Sequence, residues 1–160
     1  MSVKRILFVC TGNSCRSVMA QGLMQQALRR AGIETVTVES AGAYAINGMP
    51  ATRETQRVLQ SIGVDASAHR ARMLTPTMLE VADLVFVMEQ FHAEEVIRLL
   101  PGAKGKVHLL KSYGLSPGET VHNPNIPDPI GKPLEVYEVC FADICEAVER
   151  IAKSFGVVSA

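Results

Sequence analysis

The sequence predicts an α/β fold: a single-domain, three-layer sandwich with a four-stranded parallel sheet flanked by helices. Three observations carry this. Short, continuously apolar segments alternate along the chain with segments of helical periodicity. The apolar segments are rich in Val, Ile, Leu and Phe, as strands buried on both faces are. The chain has 160 residues, 48% hydrophobic and 20% charged, so residues 1–160 can close around one core as one domain.

The first strand is Arg5-Ile6-Leu7-Phe8-Val9-Cys10. A polar loop, Thr11-Gly12-Asn13-Ser14, leads to a helix from about Ser17 to Ala31. Its inward stripe is Ala20, Leu23, Met24, Ala27, Leu28 and Ala31, and Gly32 stops it. Thr35 to Glu39 alternates and is β-branched, which predicts the second strand. Pro50 opens a helix with Val58, Leu59 and Ile62 inward, closed by Gly63. Asp83 to Met88 is a third buried strand. Ala93, Val96, Ile97 and Leu100 form a helical stripe ended by Pro101-Gly102, and Lys106 to Leu110 makes the fourth strand. Residues 116–133 hold five of the eight prolines and read as a rigid loop. Tyr137, Phe141, Ile144, Val148, Ile151, Ala152 and Phe155 then share one face of a last helix, roughly 20 residues long.

Composition excludes several classes. Sixteen Lys and Arg balance sixteen Asp and Glu, so no basic surface for nucleic acid is expected. The apolar content excludes disorder. No apolar run approaches the ~20 residues of a membrane span, and the start is too short in apolar residues for a secretory leader. Four cysteines make no disulfide scaffold, so a reducing cytoplasm is the expected compartment.

The chemistry concentrates in Cys10-Thr11-Gly12-Asn13-Ser14-Cys15-Arg16-Ser17. This loop follows the first parallel strand and enters the first helix, where open α/β sheets bind ligands. Its backbone N–H groups, aided by the helix N-terminus, can converge on an anion. Gly12 is expected to take a backbone conformation that a Cβ forbids. The Lys-Ser/Thr ending of a nucleotide loop is missing. In its place stands Cys-x5-Arg, with the Cys10 sulfur at the floor of the cradle and Arg16 as a two-pronged clamp for phosphate oxygens. A thiolate facing a bound phosphoryl group is a nucleophile aimed at phosphorus.

With Asp128-Pro129 in the late Pro-rich loop, the stretch Cys10 to Ser17 resembles the signature of the low-molecular-weight protein tyrosine phosphatases. Glu39 to Gly42, His69 to Arg72 and Met88 to His92 are similar to the family as well. The resemblance spans nearly the whole chain and implies that family's fold. It implies Cys10 as nucleophile, Arg16 with Thr11, Gly12, Asn13, Ser14 and Cys15 as the phosphate cradle, Asp128 as general acid, and Ser17 as hydrogen-bond donor to the Cys10 sulfur. Asn13, Ser40 and His69 match the family's supporting network. No cofactor and no metal is implied, and His69, His92, His108 and His122 are scattered. The expected partner is a phosphorylated protein, met by a monomer or weak dimer.

Two enzymatic alternatives share the fold. An arsenate reductase can carry the same loop, but it relays oxidation through cysteines after the third strand, and no Cys occurs here between Cys15 and Cys140. A protein arginine phosphatase fits the small polar Ser14, while Ile130-Gly131 after Asp128-Pro129 matches neither substrate branch. Phosphotyrosine is taken as the first substrate, with Ser14, Tyr44 and Ile130 as candidate pocket walls. A phosphate-binding module without catalysis is a third reading, and nothing in the sequence supports it. Cys15 is either simple packing or a partner that traps oxidised Cys10. Cys140 and Cys145 are read as core.

Overall fold

A computed structural model describes residues 2–157. The strands are β1 (Arg5–Cys10), β2 (Thr37–Gly42), β3 (Leu84–Val87) and β4 (Val107–Leu109). The helices are α1 (Arg16–Arg30), α2 (Arg53–Gln60), α3 (Pro76–Val81), α4 (Gln90–Leu99) and α5 (Leu134–Lys153), with a 3-10 turn at Pro101–Gly105. The four strands are parallel and lie in the order β2-β1-β3-β4. The chain therefore reverses direction across the sheet between β1 and β3, which opens a crevice at the C-terminal end of β1.

Alternation along β1 feeds two cores. Ile6, Phe8 and Cys10 face α1 and α5, against Met19, Met24, Tyr137, Ile144 and Val148. Leu7 and Val9 face the other way, onto Leu79, Ala93 and Val96 of α3 and α4. Burial on both faces is why β1 is apolar at every position after Arg5.

Element ends follow local chemistry. Gly32 at φ +71° closes α1: its N–H donates to Arg29 O (3.1 Å) while Ile33 N–H donates to Leu28 O (2.9 Å). Ala31, expected on the inward stripe, is exposed beyond the last turn. The next helix starts at Arg53, three residues after Pro50, because Thr52 caps it by accepting from Thr55 N–H. Strand β2 runs later than its β-branched residues suggest. Pairing with β1, from Arg5↔Thr37 to Cys10↔Gly42, carries it through Ser40, Ala41 and Gly42 despite their modest strand propensity. Helix α3 has no strong apolar period and is found only in the structure; Thr75 caps it and Pro76 begins it. Residues 116–133 hold neither helix nor strand, and Ile126, buried, ties them down by donating its N–H to Met88 O at 2.9 Å. Phe155 lies past the end of α5 and still packs on its core.

Gly42, the last residue of β2, is the closest packed glycine beside the crevice. A Cβ there would stand 2.6 Å from Thr11 O and 2.8 Å from Asn13 N. Both are backbone atoms of the loop after β1, so a side chain can enter only by displacing that loop. Gly42→Ala should destabilise the fold by roughly 1–3 kcal/mol and depress activity with it. Urea denaturation checks this, and a wild-type midpoint would show that the loop yields freely.

Candidate active site

The loop from Cys10 to Ser17 wraps the C-terminal end of β1 and becomes the first turn of α1. Cys15 stands at the N-cap with no side-chain cap, and no acidic residue occupies the first turn. Among the described residues, none of the backbone N–H groups from Gly12 to Val18 donates to a protein acceptor. These donors, with the positive end of α1, suit an anion.

The strained residue is Asn13, not Gly12. Asn13 takes φ +53°, a left-handed conformation that Asn tolerates better than most side chains. Gly12 has no positive φ, and a Cβ there would meet only Ser14 Oγ at 3.6 Å. The expected need for glycine conformation at position 12 is thus replaced by a held asparagine. His69 Nε2 donates to Asn13 O at 2.8 Å, and Arg72 N–H donates to Asn13 Oδ1 at 2.9 Å. With its oxygen so oriented, the Asn13 amide Nδ2 donates to Ser17 Oγ (2.8 Å) and Ser40 Oγ (2.9 Å). Ser40 passes its own hydrogen to Gln21 Oε1 at 2.5 Å.

Ser17 accepts from Asn13, so its hydroxyl hydrogen is free to donate to Cys10 Sγ, 3.0 Å away.

Arg16 is buried, 1% exposed. Its Nη1 donates to Glu89 Oε2 (2.6 Å) and Ile126 O (2.7 Å). Its Nη2 lies 3.3 Å from Thr11 Oγ1 and 3.5 Å from Asp128 Oδ2. Burial works against the charge, but Cys10, the Glu89 hydrogen bond and Asp128 outweigh it and hold the guanidinium above its usual range. Arg16 Nε is the one buried side-chain nitrogen or oxygen without a partner among the described residues.

Asp128 thus reaches the same guanidinium from the Pro-rich loop, its Oδ1 accepting Ile130 N–H at 3.1 Å. The Cys15 sulfur is buried 3.4 Å from Tyr137 Oη and 3.6 Å from Thr52 Oγ1. Cys140 lies in the core, its thiol pushed up to about 12 by burial. Cys145 packs at the edge of that core.

The family model for low molecular weight phosphotyrosine protein phosphatase matches residues 5–157. The chain belongs to this family. It is 35% identical over 149 residues to a protein-arginine-phosphatase of Geobacillus stearothermophilus, covering 93% of this chain and 94% of that one. It is 36% identical over 129 residues to a low molecular weight protein-tyrosine-phosphatase of Acinetobacter johnsonii, covering 81% and 82%. The solved low molecular weight protein tyrosine phosphatase of T. tengcongensis superposes with a TM-score of 0.84 at 34% identity, covering 94% of this chain and 98% of that one.

For a phosphatase of this family, the candidate walls are unequal. Ser14 is half-buried in the loop, its carbonyl accepting Thr52 N–H at 3.2 Å. Tyr44 and Ile130 are 58% and 54% exposed, and the Tyr44 hydroxyl donates to Glu95 Oε2 at 3.5 Å. The sequence analysis marked the stretch Met88 to His92 but gave Glu89 and His92, at the first turn of α4, no role, and it missed the Ile126 carbonyl. A helix start with Glu and His three apart after a buried strand was the available signal for the first two. A backbone carbonyl leaves no sequence signal.

His92 is fully buried and pushed down to about 3, by burial first and then by the Arg16 charge. His69 and His108 are lowered too, mainly by burial. The unfolded chain therefore binds these protons more readily. The stability they confer is complete above the unfolded value of about 6.5 and drains as pH falls toward about 3. The urea midpoint should fall steadily from about pH 7 to about pH 4, with net proton uptake on unfolding. A flat midpoint over that span would contradict neutral buried imidazoles.

Proposed function

We propose that this protein hydrolyses phosphomonoesters on proteins through a cysteinyl-phosphate intermediate, with phosphotyrosine as first substrate. The observation that carries the reading is Arg16 Nε. It is a buried N–H without a protein acceptor, on the clamp of a loop whose neighbouring backbone N–H groups also lack acceptors and whose first residue is a thiol. Such a set of donors is complementary to the oxygens of a phosphoryl group.

In the first step the Cys10 thiolate forms an S–P bond as the P–O bond to the leaving group breaks. Asp128 gives its proton to the departing oxygen. Arg16 and the loop N–H groups hold the three equatorial oxygens as charge spreads over them. In the second step water attacks phosphorus, Asp128 takes its proton, and the S–P bond breaks. The electron pair returns to Cys10, where Ser17 stabilises it. Orthophosphate leaves. Asp128 is placed for both steps: one carboxyl oxygen lies 3.5 Å from Arg16 Nη2, beside the proposed phosphate site, and the side chain remains partly exposed to solvent. The four free cysteines fit a reducing compartment, and the cytoplasm is where we place the reaction.

Cys10→Ser should abolish turnover and keep inorganic phosphate binding, since the cradle survives while the nucleophile stays protonated. Turnover near wild type would sink the covalent mechanism. Asp128→Asn should cost about 10²–10⁴-fold with poor leaving groups and much less with an activated aryl phosphate. Steady-state kinetics over a leaving-group series reads this, and equal losses across it would assign the proton to another group.

Phosphoarginine is the second reading, favoured by the small polar Ser14 and by the relative named for that substrate. A phenol ring gains from an apolar wall, whereas a guanidinium loses by facing one. Ser14→Ile should therefore raise the ratio of phosphotyrosyl to phosphoarginyl peptide hydrolysis. A ratio unmoved in a folded, phosphate-binding variant would shift the selection to Tyr44 or Ile130.

A further inference from the structure

The two steps above make no use of His92, although it is the one fully buried histidine and it touches the phosphate loop. Its protonation pattern can be read from its partners. Nδ1 faces the Glu89 N–H at 3.1 Å, a donor in every state, so Nδ1 must accept. The ring hydrogen is then on Nε2, which lies 2.8 Å from Thr11 Oγ1 and donates to it. The low proton affinity of this buried ring agrees with a neutral imidazole. Thr11 Oγ1 also accepts from Arg16 Nη2 at 3.3 Å.

The two ends of the Arg16 guanidinium are not held alike. Nη1 has two short acceptors, Glu89 Oε2 and the Ile126 carbonyl. Nη2 has Thr11 Oγ1 and, at the longer 3.5 Å, Asp128 Oδ2. Asp128 is also the group that must gain and lose a proton in the cycle proposed above, so it is a poor permanent anchor. The fixed restraint on Nη2 is the threonine hydroxyl. A threonine side chain has three staggered rotamers, and the one present here puts Oγ1 within reach of both Arg16 Nη2 and His92 Nε2.

We infer that His92 is a positioning residue: through its Nε2–H it locks the Thr11 hydroxyl in the rotamer whose Oγ1 holds Arg16 Nη2 in the clamp. The start of α4 then grips the guanidinium by two routes. Glu89 does so directly at Nη1, and His92 does so through Thr11 at Nη2. The inference rests on the covalent phosphatase reading, in which the clamp must match three planar equatorial oxygens in the transition state. Misplacing such a group by a fraction of an ångström weakens the transition state more than the ground state.

Four variants of the full chain test this against p-nitrophenyl phosphate, with inorganic phosphate and orthovanadate as competitive inhibitors. Thr11→Val removes the oxygen at constant shape, and Thr11→Ser keeps it. His92→Asn keeps an acceptor for the Glu89 N–H but falls short of Thr11. His92→Gln reaches the Nε2 position with an amide donor. Thr11→Val and His92→Asn should each lower kcat by about tenfold or more and weaken orthovanadate in parallel. KM and inhibition by inorganic phosphate should move less than about threefold. The double variant should be no worse than either single, because both break one chain of contacts. Thr11→Ser and His92→Gln should recover to within about threefold of wild type. Full kcat in Thr11→Val, or additive losses in the double variant, overturns the inference, as does failure of both rescues in proteins that melt like wild type. If His92→Asn does not fold, the Thr11 pair decides by the same criteria. Absence of turnover in the wild-type protein would instead overturn the phosphatase mechanism beneath it.

Discussion

A permanently charged guanidinium buried at the crevice of the sheet is the constraint around which the rest of the molecule is arranged. Arg16 is 1% exposed, and a charge so placed is tolerable only with close, hydrogen-bonded partners. Those partners come from separate segments: Thr11 from the loop after β1, Glu89 from the start of α4, Ile126 and Asp128 from the Pro-rich loop. Satisfying one side chain therefore ties the start of α4 and the Pro-rich loop to the loop at the end of β1. It also explains why residues 116–133, without regular structure, are seated as they are. Ile126 is held by its N–H on Met88 and its carbonyl on Arg16.

The second device is the left-handed Asn13, which converts a strained backbone into a hydrogen-bond relay. His69 and Arg72 spend two contacts on holding its carbonyl and its side-chain oxygen. In return its amide faces inward with a fixed orientation, so Ser17 has only its own hydrogen to offer Cys10. Direction along this chain matters more than any single bond, because a hydroxyl that accepted from the thiol would do nothing for a departing thiolate. Gly42 completes the arrangement by leaving room for the Thr11 carbonyl and the Asn13 amide where β2 ends.

Rigid and adaptable parts are separated in the fold. The loop around Cys10 and Arg16 is built of buried or half-buried groups, whereas Tyr44 and Ile130 are exposed. That division suits an enzyme whose phosphoryl chemistry is constant while its leaving group varies.

The local rules of the chain were enough to foresee a parallel sheet, its four strands, the long first and last helices and the loop that carries Cys10 and Arg16. Each of those depends on neighbours within a few residues: unbroken apolar runs, helical periods, glycine stops, proline density. The shifted span of β2, the short helix α3 and the capped start of α2 at Thr52 escaped them, because pairing with β1 and capping by a single hydroxyl override average propensity. At the site, the residue types along Cys10 to Ser17 were legible as a thiol and a guanidinium on one loop, the basis of the proposed nucleophile and clamp. What holds the clamp was not. Glu89 is 73 residues from Arg16, His92 is 81 from Thr11, and the Ile126 contribution is a backbone carbonyl 110 residues away. Sequence determined which atoms could do the chemistry; only the tertiary structure decided which distant groups neutralise and orient them, since hydrogen bonds and buried charge act through space and not along the chain.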